Sequence, residues 1–182
     1  INTNWKFLIE NFIEPYHVQF VHKTTTNQPL KDHYTIVDGV CYGSGVNVDE
    51  EDTKNSDALS VTSKYLSLFP NFIIGTYFPN QIGVYLNVPI SPSLTSQKRI
   101  IYTTDGKDMS KEEIKMVKNI WWSVHKEDHE MCKRLQEGRH SPASYDGGLL
   151  SPVWEKGVQA FQKLIVDATM KSSKSIKRKK NV

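Results

Sequence analysis

The sequence predicts an α+β fold in which helices pack on one antiparallel sheet. Three observations carry this prediction. A helical pattern opens the chain, β-rich segments with short connections fill its middle, and two further helical patterns close it. We find no internal repeat and no second domain. Residues 1–170 are therefore expected to form one domain, followed by a basic, disordered tail at residues 171–182.

The first helix is predicted from about Asn4 to Glu14, because apolar residues recur there at helical spacing. The side chain of Asn4 can accept a hydrogen bond at the helix N-terminus. Pro15 lacks a backbone N–H and has a fixed φ angle, so the helix should end or bend just before His17.

Residues 34–105 are rich in β-branched and aromatic side chains and are predicted to form strands. Turn residues separate them at Pro70-Asn71, at Pro79-Asn80 and at residues 91–93. These connections are too short for crossover helices, so the sheet should be antiparallel. Residues 49–57, DEEDTKNSD, are expected to form an acidic surface loop.

Two helices are predicted after the strands. Ser110 and Glu113 form the S-x-x-E pattern of a capping box, and Gly138 marks the end of the long helix that begins there. Ser151 followed by Pro152 has the N-cap and first-position chemistry of a last helix.

Composition narrows the class of protein. The chain has 182 residues, 38% hydrophobic and 24% charged, which is typical of a soluble globular domain, and no apolar run could span a membrane. Cys41 and Cys132 form no metal-binding pair, so we expect thiols in a reducing, cytoplasmic compartment. The net charge of +3 comes from the tail, and without a basic stripe elsewhere we expect no nucleic-acid partner. Because the chain starts without Met or a leader, we expect it to be a piece of a longer protein.

One acidic residue lies on the apolar face of the long helix. The face runs at steps of three and four through Ile114, Val117, Trp121, Val124, Asp128, Met131 and Leu135. His125 and Glu127 flank it, whereas His129 is predicted to point away. A buried carboxylate is costly unless a positive charge, a hydrogen bond or a metal compensates it. A structural ion pair and a metal site are equally good explanations of Asp128 at this point.

His17 and His22 offer two imidazoles near the first helix, with Glu14 three residues before the first of them. On a straight helix their side chains would point about 140° apart, so sharing a ligand requires the bend that Pro15 permits. Two such histidines alone are more often structural. Together with Asp128 they would make the two-histidine, one-carboxylate set that holds Fe(II) and leaves coordination positions open.

A rival pairing is His125 with His129 in HKEDH, which is similar to the H-x-x-E-H pattern of zinc hydrolases. The acidic position is Asp128 instead of Glu, and His129 is predicted to face away from the apolar stripe. This interpretation is therefore the weaker one.

The segment NWKFLIENFIEPYHVQFVH resembles the opening of the catalytic domain in the large (alpha) subunit of Rieske-type non-haem iron, or ring-hydroxylating, oxygenases. The family motif is a carboxylate, two residues, His, four residues and His, here Glu14, His17 and His22. VHKEDHEMCKRLQEG resembles the region of its third ligand, with Asp128 in that place. NVPISPSLTSQKRIIYTT and SYDGGLLSPVWEKGVQAFQ resemble its middle strands and C-terminal helix, so the resemblance covers residues 4–168.

The resemblance implies a helix-grip (START/SRPBCC-like) fold, a curved antiparallel sheet packed on the long helix. It implies Fe(II) held by His17, His22 and Asp128, with O2 as co-substrate. It also implies electrons from a 2Fe–2S Rieske cluster in a neighbouring subunit, crossing through Glu14, and supplied from NAD(P)H through a reductase or ferredoxin. The full-length protein is then expected to be a homotrimer.

Two departures from the family bear on function. The Cys and His ligands of a Rieske domain are absent, so this chain alone should not turn over. Glu14 stands where aromatic-ring dioxygenases usually have Asp, which resembles the branch acting on quaternary or methylated amines. The expected activity is hydroxylation or N-demethylation of a small organic substrate. Aromatic-ring dioxygenation in hydrocarbon catabolism and a non-enzymatic domain that binds a hydrophobic ligand are the alternatives. Candidate aromatic residues for a cationic substrate are Tyr65, Phe69, Phe72, Tyr77, Phe78 and Tyr85.

Overall fold

Six antiparallel strands form one sheet in the computed structural model, which describes residues 1–23, 25–26, 28–47, 62–77 and 80–180, with only the backbone from residue 173 onward. The strands are β1 (His33–Asp38), β2 (Cys41–Val46), β3 (Ser63–Leu68), β4 (Phe72–Tyr77), β5 (Gln81–Ser91) and β6 (Leu94–Thr103). Each strand pairs with the next along the chain, in the order β1 to β6. The predicted antiparallel sheet is confirmed, and the predicted acidic loop at 49–57 lies outside the described residues.

Two short α-helices and a 3₁₀ turn precede the sheet. Helix α1 (Trp5–Ile13) is capped by the Asn4 side chain, which accepts a hydrogen bond from the Lys6 N–H at 3.0 Å, as predicted. Glu14 has an extended backbone, so the helix ends before Pro15. Helix α2 (Val18–Val21) follows, and a 3₁₀ turn at Leu30–Asp32 leads into β1.

Helix α3 (Lys111–Arg139) has the predicted capping box between Ser110 and Glu113. Its apolar stripe is buried only in the middle. Val124 is 7% exposed, whereas Ile114 and Leu135, near the two ends, are 53% and 42% exposed. Ile114 lines an open groove that β6 also lines, so the stripe overestimates the length of the buried face.

Helix α4 (Lys156–Lys180) differs from the prediction at both ends, and a 3₁₀ turn at Pro142–Ser144 precedes it. Ser151 accepts hydrogen bonds from the N–H groups of Val153 and Trp154, as an N-cap residue does, but residues 152–154 form only a turn and the helix begins at Lys156. The backbone stays helical to Lys180, where a disordered tail was expected from residue 171. No glycine or proline follows Gly157 in the chain, so nothing in the local sequence ends the helix earlier.

The core lies where α1 and α4 pack on the sheet. Its fully buried members share one cluster: Ile9, Ile13, Tyr42, Ile73, Tyr85, Val158 and Phe161. Trp5 of α1 packs edge-on against Phe161 of α4, with ring centroids 5.9 Å apart. Helix α1 also contacts α3, so it joins the core to the long helix. Among the described residues, no helix is long and apolar enough to cross a membrane.

Candidate metal centre

The break at Pro15 places two histidines at the two ends of one helical turn. His17 is the N-cap residue of α2 and His22 is its C-cap residue, whose N–H donates to the Val18 carbonyl. The two rings approach to 5.2 Å between centroids, at an interplanar angle of 74°. The segment between them is itself helical, with backbone hydrogen bonds from Val21 N–H to His17 O and from His22 N–H to Val18 O. The expected bend therefore lies before His17, and the two rings meet from the ends of the turn.

Asp128 of α3 meets both rings. Its Oδ1 atom lies 3.6 Å from His17 Nε2 and 3.1 Å from His22 Nε2. One ligand atom from each of the three residues lies within 4.8 Å of the others, and they form the only such group of three or more among the described residues. The side chains are 13%, 5% and 15% exposed for His17, His22 and Asp128, so the cluster is nearly closed to solvent.

Each imidazole is held from behind by a carboxylate. His17 Nδ1 lies 2.5 Å from Glu14 Oε1, and His22 Nδ1 lies 2.7 Å from Glu127 Oε2. Each carboxylate accepts a hydrogen bond from Nδ1–H, so Nε2 is the atom of each ring that faces Asp128 and the one available to a metal ion. Glu127 is itself fixed by the Thr25 hydroxyl, which donates to the same Oε2 atom at 2.7 Å.

The charges of the cluster depend on each other. Burial opposes ionisation of Asp128, but the hydrogen bond and charge of His22 together with the charge of His17 lower its pKa to about 2. Burial likewise opposes protonation of His22, but Asp128 and Glu127 raise its pKa above the ordinary value. Asn11, which is buried, donates a hydrogen bond to Asp128 Oδ1 at 2.9 Å. Asp128 thus accepts hydrogen bonds from an imidazole and an amide.

The donor set fits a divalent iron ion. Two ligand atoms bound at right angles, each about 2.1 Å from an ion, stand roughly 3 Å apart. The distances from Asp128 Oδ1 to the two Nε2 atoms are 3.1 Å and 3.6 Å, close to that spacing. Two neutral imidazoles and one carboxylate suit Fe(II) and leave other positions free. His17, His22 and Asp128 could therefore hold the metal that the sequence predicts, with Asn11 beside it.

A small apolar cavity of about 60 Å³ adjoins the three residues. The aromatic rings of Phe12, Tyr65, Tyr77 and Trp121 line it. Of the predicted aromatic candidates, Tyr65 and Tyr77 are at the cavity, Phe69 and Tyr85 belong to the core, and Phe78 lies outside the described residues. Phe72 is half-buried on β4 away from the cavity lining.

The zinc pair considered from the sequence is not assembled. His125 is buried with its Nδ1 atom 4.0 Å from Asp128 Oδ2, and His129 is not part of the metal-capable group. The prediction that His129 points away from the buried side is also wrong, because its Nε2 atom is buried. His129 lines a groove between α3 and β6, and residues of the apolar stripe line the same groove.

Sequence reasoning missed three contributors to this site. Asn11 and Glu127 contact ligands that are more than 100 residues away in the chain. Trp121 was recognised only as part of the apolar stripe, although it lines the cavity and donates from its indole to Gln81. A repeated Gly-x-Tyr pattern at Gly75 and Gly83 could have indicated the cavity. A β-carbon on either glycine would overlap the hydroxyl of the tyrosine two residues later, so both rings lie over glycine.

Comparison with known proteins decides the family. A family model described as the ring hydroxylating alpha subunit (catalytic domain) matches residues 1–171. The chain belongs to this family. The resemblance to this family seen in the sequence is confirmed, and with it the α+β fold. No curated protein matches the sequence.

Solved structures share the fold of this ring-hydroxylating alpha-subunit domain. The quaternary ammonium Rieske monooxygenase CntA, in complex with an inhibitor, superimposes with a TM-score of 0.73 at 17% identity. That match covers 91% of this chain and 46% of CntA. CntA with L-carnitine gives 0.70 at 18% identity, covering 91% and 46%. Dicamba monooxygenase gives 0.53 at 13% identity, covering 95% and 58%. The chain thus spans about half the length of the CntA chains.

Proposed function

We propose that this chain is the catalytic domain of a terminal oxygenase and holds Fe(II) with His17, His22 and Asp128. The convergence of these three side chains, each with a hydrogen-bonding partner behind it, is the observation that supports the proposal. Fe(II) bound there would supply the activation of O2 for insertion of oxygen into an organic substrate.

The surrounding residues orient the ligands and exclude water. Glu14 and Glu127 fix the Nδ1–H tautomer of the two imidazoles, so each ring presents Nε2 without rearrangement. Asn11 holds the Asp128 carboxylate through Oδ1. The apolar rings around the cavity keep bulk water from the ligands, which strengthens the electrostatic interactions inside.

Glu14 is proposed as the bridge through which electrons arrive from a neighbouring subunit. Its Oε1 atom is hydrogen-bonded to His17 Nδ1, and its Oε2 atom accepts hydrogen bonds from the backbone N–H groups of Tyr16 and His17. Close to it, Tyr16 and Phe20 are 47% and 54% exposed, and their rings contact each other at a tilt of 42° with centroids 5.8 Å apart. Exposed aromatic pairs are typical of protein interfaces, so this surface suits the subunit contact that the electron path requires.

The remaining machinery belongs to the longer protein. A Rieske domain with a 2Fe–2S cluster would precede this domain. NAD(P)H would supply electrons through a reductase or ferredoxin, and the full-length protein would form a homotrimer. The CntA structures include one described as revealing inter-subunit electron transfer, at 19% identity, which supports such an arrangement by fold.

A quaternary or methylated amine is the proposed substrate, and hydroxylation or N-demethylation is the proposed reaction. The π faces of Tyr65, Tyr77 and Trp121 at the cavity suit a cationic methylammonium group. Glu14, in place of the Asp usual in aromatic-ring dioxygenases, agrees with this branch, and CntA is itself named a quaternary ammonium monooxygenase. Ring dioxygenation remains the alternative, which product analysis with the longer protein would separate.

Anaerobic loading with Fe(II), gel filtration and metal analysis test the site. We expect about one iron per chain in the wild type, near-background iron in His17→Ala, and wild-type iron in His140→Ala. His140 is a matched control because it is exposed and caps the far end of α3. Equal iron in the wild type and His17→Ala would refute the site.

A non-enzymatic ligand-binding domain is less well supported. That alternative predicts that Asp128 pairs with Lys or Arg. Among the side chains that the structure describes, the ion-pair partners of Asp128 within 4.0 Å are all histidines.

A further inference from the structure

Arg99 of β6 is half-buried, and among the described residues its guanidinium group has no carboxylate in direct contact, although the charge of Asp128 acts on it from a longer distance. Its Nη1 atom is buried and has no hydrogen-bond partner. Within the described part of the chain, no Asp or Glu oxygen lies within 4.0 Å of it. Buried arginines are nearly always paired, because an unpaired charge is costly to desolvate. Something that binds here would remove that cost.

The guanidinium is held in a fixed orientation. Arg99 Nε donates to Gln97 Oε1 at 2.5 Å, and Gln97 Nε2 donates to Asn87 Oδ1 at 2.6 Å. Its plane rests on the Tyr85 ring, 4.9 Å from the centroid. Preorganisation of this kind reduces the entropy lost when a ligand binds. The relay positions Arg99 and neutralises none of its charge.

Arg99 lines a groove of about 860 Å³ between β6 and α3. This volume is typical of small-molecule sites, whereas the 60 Å³ cavity at the metal ligands has room for only one end of a substrate. His129, whose buried Nε2 also lacks a partner, lines the same groove. Ile101, Val117 and Trp122 give the groove an otherwise apolar wall, and Lys118 adds a positive charge.

The groove and the metal-site cavity share a wall. Trp121 and His125 line both, and their rings stack with centroids 5.8 Å apart at an angle of 25°. A molecule anchored on Arg99 would therefore need to pass only these two rings to reach the iron ligands. A ligand that extends from the groove to the cavity would place one end on the guanidinium and the other near His17, His22 and Asp128.

We propose that Arg99 is a specificity-determining residue that binds the carboxylate of the substrate, with the reacting carbon held in the metal-site cavity. The planar guanidinium matches the two oxygens of a carboxylate. This inference rests on the proposed function and extends it: the substrate is an organic acid, such as a zwitterion that carries both a methylated ammonium group and a carboxylate. The cation would meet the aromatic faces, and the anion would meet Arg99.

Paired probes test the charge requirement in metal-free protein. Glycine betaine and choline share a trimethylammonium group and differ in carboxylate against hydroxyl, and benzoate and benzyl alcohol differ in the same way. The indole N–H resonances of Trp121 and Trp122 report binding by NMR titration. We expect the carboxylate of at least one pair to bind the wild type about tenfold or more tightly than its neutral partner. If no carboxylate is preferred in either pair, the proposal is overturned.

Three variants separate binding from folding. Arg99→Gln should lose the preference for the carboxylate, Arg99→Lys should keep only part of it, and Arg134→Gln, an exposed arginine on α3, should keep all of it. A structural role predicts a lower unfolding midpoint for Arg99→Gln. A binding role predicts an unchanged or higher one, because an uncompensated buried charge is removed. An unchanged preference in Arg99→Gln, or a lower midpoint in both Arg99 variants, would contradict the assignment.

Two further measurements distinguish this inference from its alternatives. Iron content is measured on the same variants and should be the same in Arg99→Gln as in the wild type. A wild type that holds no iron would refute the proposed function, while the titrations without metal still report on Arg99. If the longer protein loses the carboxylate preference that this chain shows, a protein carboxylate occupies Arg99 there, and the substrate assignment fails.

Discussion

Replacement of Glu127 by alanine tests whether the second carboxylate behind the histidines determines metal affinity. Glu127 Oε2 accepts hydrogen bonds from His22 Nδ1 and from the Thr25 hydroxyl, each with a donor–acceptor distance of 2.7 Å. His22 is 4% exposed, so water replaces the lost acceptor poorly, although the Glu127 side chain itself is 29% exposed. Loss of such an orienting partner typically weakens metal binding about 10- to 100-fold. This corresponds to about 1.4–2.7 kcal/mol.

The assay is an anaerobic Fe(II) titration in competition with a chelator of known affinity. We expect Glu127→Ala to bind iron within that range of loss. Glu127→Gln should recover part of it, because the amide oxygen can still accept from Nδ1 but carries no charge. Glu130→Ala, at an exposed position on the same helix where the side chain pairs with Arg134, serves as the control. Wild-type affinity in Glu127→Ala would show that His22 is oriented by its backbone alone, and the reasoning would fail.

Three further changes test the packing around the site. Gly75→Ala should lower the free energy of unfolding by about 1–3 kcal/mol in urea, since the new methyl group overlaps the Tyr77 hydroxyl. Gly138→Ala is the control and should not destabilise the fold, because the space around Gly138 is open. Asn11→Ala should lower the free energy of unfolding of the metal-free protein by about 1.5–3 kcal/mol, the usual value of a hydrogen bond to a charged group, and a loss below about 0.5 kcal/mol would contradict this. Burial raises the pKa of the Cys132 thiol. Its contribution to stability is therefore complete below about pH 8.5 and decreases as the pH rises further. The stability difference between the wild type and Cys132→Ala should shrink between about pH 8.5 and pH 10.

The sequence predicts those parts of the site that local periodicity and local chemistry determine. The position of Asp128 follows from the steps of three and four along α3, and a side chain 15% exposed agrees with it. The break in the helix before His17 follows from Pro15, which cannot continue a helix. The cap at Asn4 and the capping box at Ser110 are local hydrogen bonds of the same kind, and both are present.

The remainder depends on contacts between distant segments. Glu127 flanks the apolar stripe in sequence, and only the packing of α3 against α2 shows that it meets His22. In the β6 sequence, nothing distinguishes Arg99 from an ordinary surface residue of a strand. Its partial burial depends on the position of α3 relative to β6, which the sequence does not give. The late start of α4 has a similar cause, since Ser151 has cap chemistry that a turn uses equally well.

Glu14 and Glu127 make the same bond to equivalent atoms, and this symmetry allows the electron-bridge proposal to be tested. If both carboxylates only orient imidazoles, Glu14→Ala and Glu127→Ala should weaken iron binding to a similar extent, and turnover per bound iron should be equal in the two variants. Glu14, however, lies beside the exposed Tyr16, and its oxygens also contact two backbone N–H groups of that segment.

A bridge therefore predicts an additional loss that appears only when electrons must cross between subunits. In the longer protein supplied with its reductase, turnover per bound iron should fall at least tenfold further in Glu14→Ala than in Glu127→Ala, a difference of about 1.4 kcal/mol in barrier. Glu14→Asp, which keeps the carboxylate on a shorter side chain, should recover part of that turnover. Equal turnover per iron in the two alanine variants would reduce Glu14 to an orienting residue and remove the electron path from this surface.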